Sequence, residues 1–166
     1  MAVAKDPIQE ARAQWIRHGW EDAADGMAMV TSLTRVQQLF RERIDATLRP
    51  YGLTFARFEV MRLISFTRSG TMTMSRLGSL LQVHATTVTS AVERLVQQGY
   101  VERARSQTDR RVIHASLTAE GRRVVEDATA SLNAEVFAKP GLDNAATLRL
   151  YDALTELRAA LGDLPR

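Results

Sequence analysis

The stretch MSRLGSLLQVHATTVTSAVERLVQQGYVERARSQTDRRVIHASLT, residues Met74–Thr118, decides the architecture. It reads as a short helix, a tight turn, a second helix and a two-stranded ribbon. In the first helix, Ser75 to Gln82, the residues Leu77, Leu80 and Leu81 fall at i, i+3 and i+4 and make one apolar face. Gly78 inside it costs about 1 kcal/mol against alanine, which asks for a packing reason such as a close helix crossing. Val83 and His84 make the turn. Thr86 or Thr87 is placed to cap the second helix, because a hydroxyl accepts an otherwise orphaned backbone N–H. Val88, Ala91, Val92 and Leu95 form the buried stripe of that helix. Gly99 stands where a left-handed C-terminal cap would end it.

The other face of the second helix carries Thr86, Thr87, Thr89 and Ser90, then Glu93 and Arg94 a turn later. Threonine and serine are mediocre helix formers, so helix stability alone explains this run poorly. Small hydroxyl side chains do suit a helix that lies against base edges and phosphates, where a threonine methyl can meet a thymine methyl. A cap followed by a solvated surface would account for the same residues, and the ribbon separates the two readings. Tyr100–Arg105 and Val112–Leu117 read as strands with Ser106–Arg111 as the tip. Arg103, Arg105, Arg110 and Arg111 put four arginines on one short hairpin. Such side chains gain from phosphates, and arginine can enter a narrow minor groove. Asp109, beside Arg110 and Arg111, would orient a guanidinium by a charge-assisted bond. The expected fold class is mainly α with a small β-wing: a winged helix-turn-helix with helices before and after it.

In order and spacing, the central part of the chain resembles the MarR family of bacterial transcription regulators. The residues that carry the likeness are LTFARFEVMRLI (Leu53–Ile64), MTMSRLGSLL (Met72–Leu81) and TTVTSAVERLVQQGYVER (Thr86–Arg103), with the wing motif DRR (Asp109–Arg111) and the closing ASLTAEG (Ala115–Gly121). The resemblance implies a homodimer binding a pseudo-palindromic operator in double-stranded DNA, and family habit favours repression. Two reading helices about one DNA turn apart, roughly 34 Å, would enter successive major grooves. The expected DNA-binding set is Ser75, Thr86, Thr87, Thr89, Ser90, Arg94, Arg103, Arg105, Asp109, Arg110 and Arg111. The family's wing pattern puts Arg111 first for minor-groove insertion and Arg110 second.

The resemblance also implies a regulatory ligand, a small aromatic or phenolic acid held in a cleft between the dimer helices and the reader. Trp15, Arg17, His18 and Trp20, in the segment WIRHGW, form an aromatic and cationic cluster suited to an anionic aromatic compound. An arginine can hold its carboxylate by a paired hydrogen bond. Tyr51, Phe58 and Arg62 are further candidates from the family's cleft position. Interface packing with a solvated histidine and arginine is the plainer alternative for the first cluster.

At 166 residues the chain is expected to be one domain, 1–166, long enough for a real core. Residues 6–49 and 119–163 are the expected dimerisation helices, and 53–118 the DNA-binding lobe. The formal charge of +3 is a mild excess that fits a nucleic-acid binder without proving one. The absence of cysteine excludes disulfides, thiol redox sensing and thiolate metal sites within this chain. With no signal-like apolar run at the N-terminus and no segment of the ~20 apolar residues a membrane span needs, a cytoplasmic protein is expected.

Asp6-Pro7 signals a helix start, and a helix through Trp15 and His18 could run to Gly19. Both tryptophans lie there, as expected of an arm that packs on a partner subunit. A long helix follows from about Glu21 to Arg49, stopped by Pro50 and Gly52. Thr54 caps the next, whose core side holds Phe55, Phe58, Val60, Met61, Ile64 and Phe66. Thr71–Thr73 is a short strand for the ribbon. Thr118 and Asp143 cap two final apolar helices, which, with the long early helix, would build a dimer.

An enzyme is not expected. There is no glycine-rich phosphate loop, nucleophile elbow or metal-spaced histidine set, and His18, His84 and His114 are far apart. No cofactor or metal is implied. The rival reading is a protein-interaction module on a winged-helix scaffold, which a steep salt dependence of DNA binding would separate from a DNA reader.

Overall fold

The computed structural model describes residues 6–81, 84–109 and 111–163. Its elements are α1 (Pro7–Arg17), α2 (Glu21–Leu48), a 3-10 turn (Arg49–Tyr51), α3 (Phe55–Ser65), β1 (Thr71–Thr73), α4 (Met74–Leu81), α5 (Ala85–Gln97), β2 (Val101–Arg105), β3 (Ile113–Leu117), α6 (Ala119–Leu132), a π-helical turn (Asn133–Phe137) and α7 (Asn144–Ala160). Mainly α with a small β-wing is therefore the observed fold class. The chain divides into two compact units, one ending at Ala46 and one beginning at Thr47.

In the first unit, the Asp6 carboxylate accepts from the Ile8 N–H at 3.0 Å, and Pro7 follows at the first turn. This is the expected cap: it satisfies an orphan donor while proline forfeits none. Gly19 ends the segment with φ +79°. Arg12 reaches Asp25 at 2.6 Å and ties α1 to α2. Met29, Val30, Val36 and Leu39 remain exposed along α2.

The second unit holds the core. Phe58, Val60, Met61 and Ile64 of α3 are buried, together with Leu77 of α4, Val88, Val92 and Leu95 of α5, and Val101 and Ala115 of the sheet. Val124, Val125, Ala128, Leu132 and Val136 cover the same core from α6 and the turn after it. α3 touches α4, α5, α6 and β3, so it is the central post of the lobe. The three strands run antiparallel in the order β1-β3-β2, with Met72 opposite Ala115 and Arg103 opposite Ala115 on the other side. Thr71–Thr73 is thus the expected third strand of the ribbon.

Three caps follow the sequence. Thr54, Thr118 and Asp143 accept from the N–H groups of Arg57, Gly121 and Ala146. Thr118 also donates its hydroxyl to the Gly99 carbonyl at 2.7 Å, so it pins the end of the α5 turn as well as starting α6. Thr118→Ala is expected to cost about 1–2 kcal/mol in a urea melt, the upper part of the range for a cap, because both bonds go.

Three local expectations need correction. Neither Thr86 nor Thr87 caps α5. The helix begins earlier, at Ala85, with His84 at the cap position and no side-chain cap bond. The His84 carbonyl instead accepts from the N–H groups of Thr87 and Val88. Leu80 is 43% exposed, so the apolar face of α4 narrows to Leu77 with Leu81 half-buried. Phe66 is 69% exposed, because α3 stops at Ser65 and the chain turns before Phe66 can face the core. At the wing, Asp109 accepts from the backbone N–H of Arg111 at 2.9 Å. Gln82, Val83 and Arg110, which entered the readings of the turn and the wing, lie outside the described residues.

Candidate nucleic-acid interface

The helix α5 buries Val88, Val92 and Leu95 on α3 and turns its opposite side to solvent. Period 3.6 does the sorting: with the three valine and leucine positions inward, Thr86, Thr87, Ser90, Glu93 and Arg94 must face out. All five are exposed, and Thr89 is half-buried. Gly99 stops the helix with φ +75°, and the Tyr100 N–H returns to the Leu95 carbonyl at 2.9 Å. This left-handed stop turns the chain straight into β2.

The wing is held to α5 at its base. Arg103 on β2 reaches Glu93 on α5 at 3.5 Å. The tip is ordered by its own short polar residues. Ser106 Oγ accepts from the N–H groups of Thr108 and Asp109, the Ser106 N–H bonds to the Val112 carbonyl, and Asp109 accepts from Arg111 as above. Local side-chain to backbone bonds of this kind fix a loop that has no core of its own. Arg105 and Arg111 are exposed on it. Ser75 is exposed at the start of α4, where its hydroxyl lies 3.3 Å from that of Thr73.

The structure therefore brings Thr86, Thr87, Ser90 and Arg94 to one exposed surface and links it to the wing through Arg103. The sequence reading missed the neighbours of that surface. Thr54, Ala56 and Arg57 from the start of α3 join Thr86, Thr87, Ser90, Ala91, Glu93, Arg94 and Gln97 around an open groove of about 800 Å³. Nothing in the spacing of residues 53–64 distinguishes Arg57 from an ordinary solvated arginine, because its partner Gln98 lies 41 positions away.

Burial raises the Glu59 carboxyl above its ordinary range. Glu59 lies beneath the exposed face, beside Val60, Leu81, Thr87 and Val88. A carboxyl whose folded pKa is raised favours folding in its protonated form, so its contribution is lost as pH rises through that raised value. Glu59→Gln is expected to equal the parent in acid and to exceed it at neutral pH. Thermal melts across the carboxylate range check the sign.

The ligand candidates fall in two separate sets. In the first unit, Trp15 and Trp20 meet edge to face at 5.4 Å, and His18 stacks on Trp20 at 5.6 Å. Arg17 is drawn away to Glu10 at 3.1 Å, so its charge is already partnered. In the second unit, the Tyr51 hydroxyl lies 2.7 Å from that of Ser131, Phe58 is buried, and Arg62 bonds Glu126 at 2.6 Å beneath the ring of Phe66. Among the described residues no group of three His, Asp or Glu side chains could hold a metal, and no helix is long and apolar enough to cross a membrane.

Comparison with known proteins matches this lobe. The MarR family model matches residues 51–112, from the end of the 3-10 turn to the wing. The chain is 30% identical over 111 residues to the HTH-type transcriptional repressor Rv2887 of Mycobacterium tuberculosis, covering 67% of this chain and 78% of that one. It is 39% identical to the structure of Sco5413, a MarR family transcriptional regulator from Streptomyces coelicolor, over 86% of this chain and 99% of that one, with a TM-score of 0.75. A variant of Escherichia coli MarR solved with operator DNA shares the fold at 22% identity, TM-score 0.72, over 81% and 96% of the two chains.

Proposed function

The chain belongs to the MarR family of DNA-binding transcriptional regulators, and from that premise we propose that it is a homodimeric repressor binding a pseudo-palindromic operator. The observation that carries this reading is the hydroxyl-rich exposed face of α5 beside an ordered, arginine-bearing wing. Thr86, Thr87, Thr89 and Ser90 meet bases and phosphates of the major groove, with Ser75 and Arg94 on the backbone. Arg103 and Arg105 line the wing strand, Asp109 holds the tip, and Arg111, with Arg110 beside it, enters the minor groove. Residues 53–118 act as the reading lobe, and 6–49 and 119–163 as the dimer-forming helices.

The case for two copies is the apolar surface left open at the ends of the chain. Val30 is 57% exposed on α2, and Tyr151 and Leu161 are 63% and 76% exposed at α7. Burying such side chains contributes roughly 25 cal/mol per Å², and a second copy offers the same faces. Sedimentation equilibrium is expected to return twice the 18.5 kDa of one chain. A single-chain mass at micromolar concentration contradicts the dimer.

A small aromatic or phenolic acid is the proposed effector. The stacked Trp15, His18 and Trp20 are the first candidates to bind it, with Tyr51, Phe58 and Arg62 second. Such a ligand relieves repression only if it prefers the conformation that misfits DNA, and DNA must then weaken its binding by the same factor. Titration with a panel of phenolic acids is expected to quench tryptophan emission. An unchanged spectrum across the panel removes the first cluster from consideration. Electrophoretic mobility shift on the DNA beside its own gene, followed by transcription from that DNA in vitro, tests repression itself.

A further inference from the structure

The groove between the start of α3 and the exposed face of α5 contains an arginine held in place by neutral acceptors and, among the described residues, with no acidic partner. Arg57 Nε donates to Thr54 Oγ1 at 3.2 Å, and Arg57 Nη1 donates to Gln98 Oε1 at 3.0 Å. Gln98 is itself anchored, its Nε2 donating to the Gly52 carbonyl at 2.9 Å. Both of the bonds to Arg57 use neutral acceptors, so the guanidinium is oriented but its charge is not neutralised. Arg94 lines the same groove from α5 and donates to Gln97 Oε1, another neutral acceptor, at 2.9 Å. Among the described residues lining the groove, the one carboxylate is Glu93, which pairs with Arg103 at 3.5 Å. The hydroxyls of Thr54, Thr86, Thr87 and Ser90 complete the lining.

Two guanidiniums oriented by neutral acceptors, among hydroxyl groups, make a site for an oxyanion. A guanidinium presents a planar fork of donors that matches phosphate oxygens, and fixing it beforehand removes part of the ordering cost of binding. The groove also runs along the side of the helix that faces bases in the reading proposed above. We propose that Arg57 and Arg94 clamp a DNA backbone phosphate beside the reading helix, with Gln98 as the residue that positions Arg57. This rests on the DNA-reading proposal and extends its footprint to α3, an element outside the helix-turn-helix. Being a backbone contact, it sets register and affinity and carries no sequence information.

The test is a salt series on the full-length chain with a labelled mixed-sequence duplex and with the DNA beside its own gene. Each phosphate contact contributes about −0.9 to the slope of log affinity against log salt, and a dimer has two clamps. Arg57→Gln is expected to make the slope shallower by about two on both duplexes. The ratio between the two duplexes stays as in the parent, because bases are not read. Each lost contact corresponds to a roughly three- to fourfold smaller fall in affinity between 50 and 200 mM salt. Arg57→Lys keeps the point charge and is expected to retain most of the slope. Arg94→Gln, at an exposed position, repeats the loss without touching the Thr54–Gln98 framework. A parent slope retained in folded Arg57→Gln overturns the clamp and leaves the DNA reader standing. Should Arg57→Gln fail to fold, an unchanged slope in Arg94→Gln overturns it equally. Loss of a phosphate-induced rise in Tm with an unchanged DNA slope identifies a site for small free anions instead, and also overturns it. A parent that binds neither duplex removes the reader itself.

Discussion

Gly121→Ala is expected to destabilise the lobe by about 2–3 kcal/mol, against the ordinary rule that alanine improves a helix. Gly121 is the third residue of α6 and is buried. A β-carbon there would land on the carbonyl oxygen of Tyr100, with the carbonyl carbon at only 2.8 Å. The obstacle is backbone, which cannot rotate aside as a side chain would. That same carbonyl accepts from the Thr118 N–H at 3.1 Å, so displacing it also breaks the junction between β3 and α6. Helix propensity alone would favour alanine by about 1 kcal/mol, which makes the sign of the effect decisive. Gly99 makes a useful contrast. Nothing lies within 4 Å of a β-carbon placed on it, and its φ of +75° is the only obstacle. Gly99→Ala is expected to lose about 1–2 kcal/mol from backbone strain alone. Urea melts of both variants check the order. Because Tyr100 lies in the link from α5 to β2, Gly121→Ala should also weaken DNA binding by misplacing the wing; Gly121→Ala as stable as the parent contradicts the close approach.

The second large effect is at the wing. Arg111→Ala is expected to weaken operator binding by about 1–3 kcal/mol, a loss of roughly 5- to 150-fold. The bond that fixes the tip uses the Arg111 backbone N–H, which alanine keeps. The loss therefore reports on the guanidinium and leaves the fold of the loop out of account. Asp109→Ala removes the acceptor instead and loosens the tip while keeping the charge, so a smaller loss is expected. Fluorescence anisotropy at moderate salt, with melting temperatures of both variants, separates the two. Full affinity in Arg111→Ala would move the minor-groove contact elsewhere.

Much of this was legible because the code for it is local. A valine-leucine stripe at helical spacing fixes which side of α5 is free, and Thr54, Thr118 and Asp143 mark helix starts by a hydroxyl or carboxylate that needs only the next turn. That Thr71–Thr73 pairs with the ribbon was readable too, but not that it pairs with β3, because a two-stranded ribbon offers two edges. What failed was the competition between equivalent local partners. Two threonines could have capped α5, yet the helix begins before both, and the His84 carbonyl takes the first bonds. Asp109 accepts from the backbone N–H of Arg111, two positions on, a local partner the reading had not weighed. What no spacing could reveal was contact across the chain. Gln98 orients Arg57 from 41 positions away, and the Tyr100 carbonyl crowds Gly121 from the far side of the wing. The aromatic cluster was half legible: Trp15, His18 and Trp20 do gather, but Glu10 takes Arg17.

The central claim is that the α5 face and its wing grip duplex DNA. The salt dependence of binding by the unmodified chain to the DNA beside its own gene tests it most directly. Six or more phosphate contacts per dimer should give a slope of about −5 or steeper in log affinity against log salt, with saturable binding at low salt. A folded chain that shows no saturable binding at the lowest salt, or whose affinity is indifferent to salt, contradicts it.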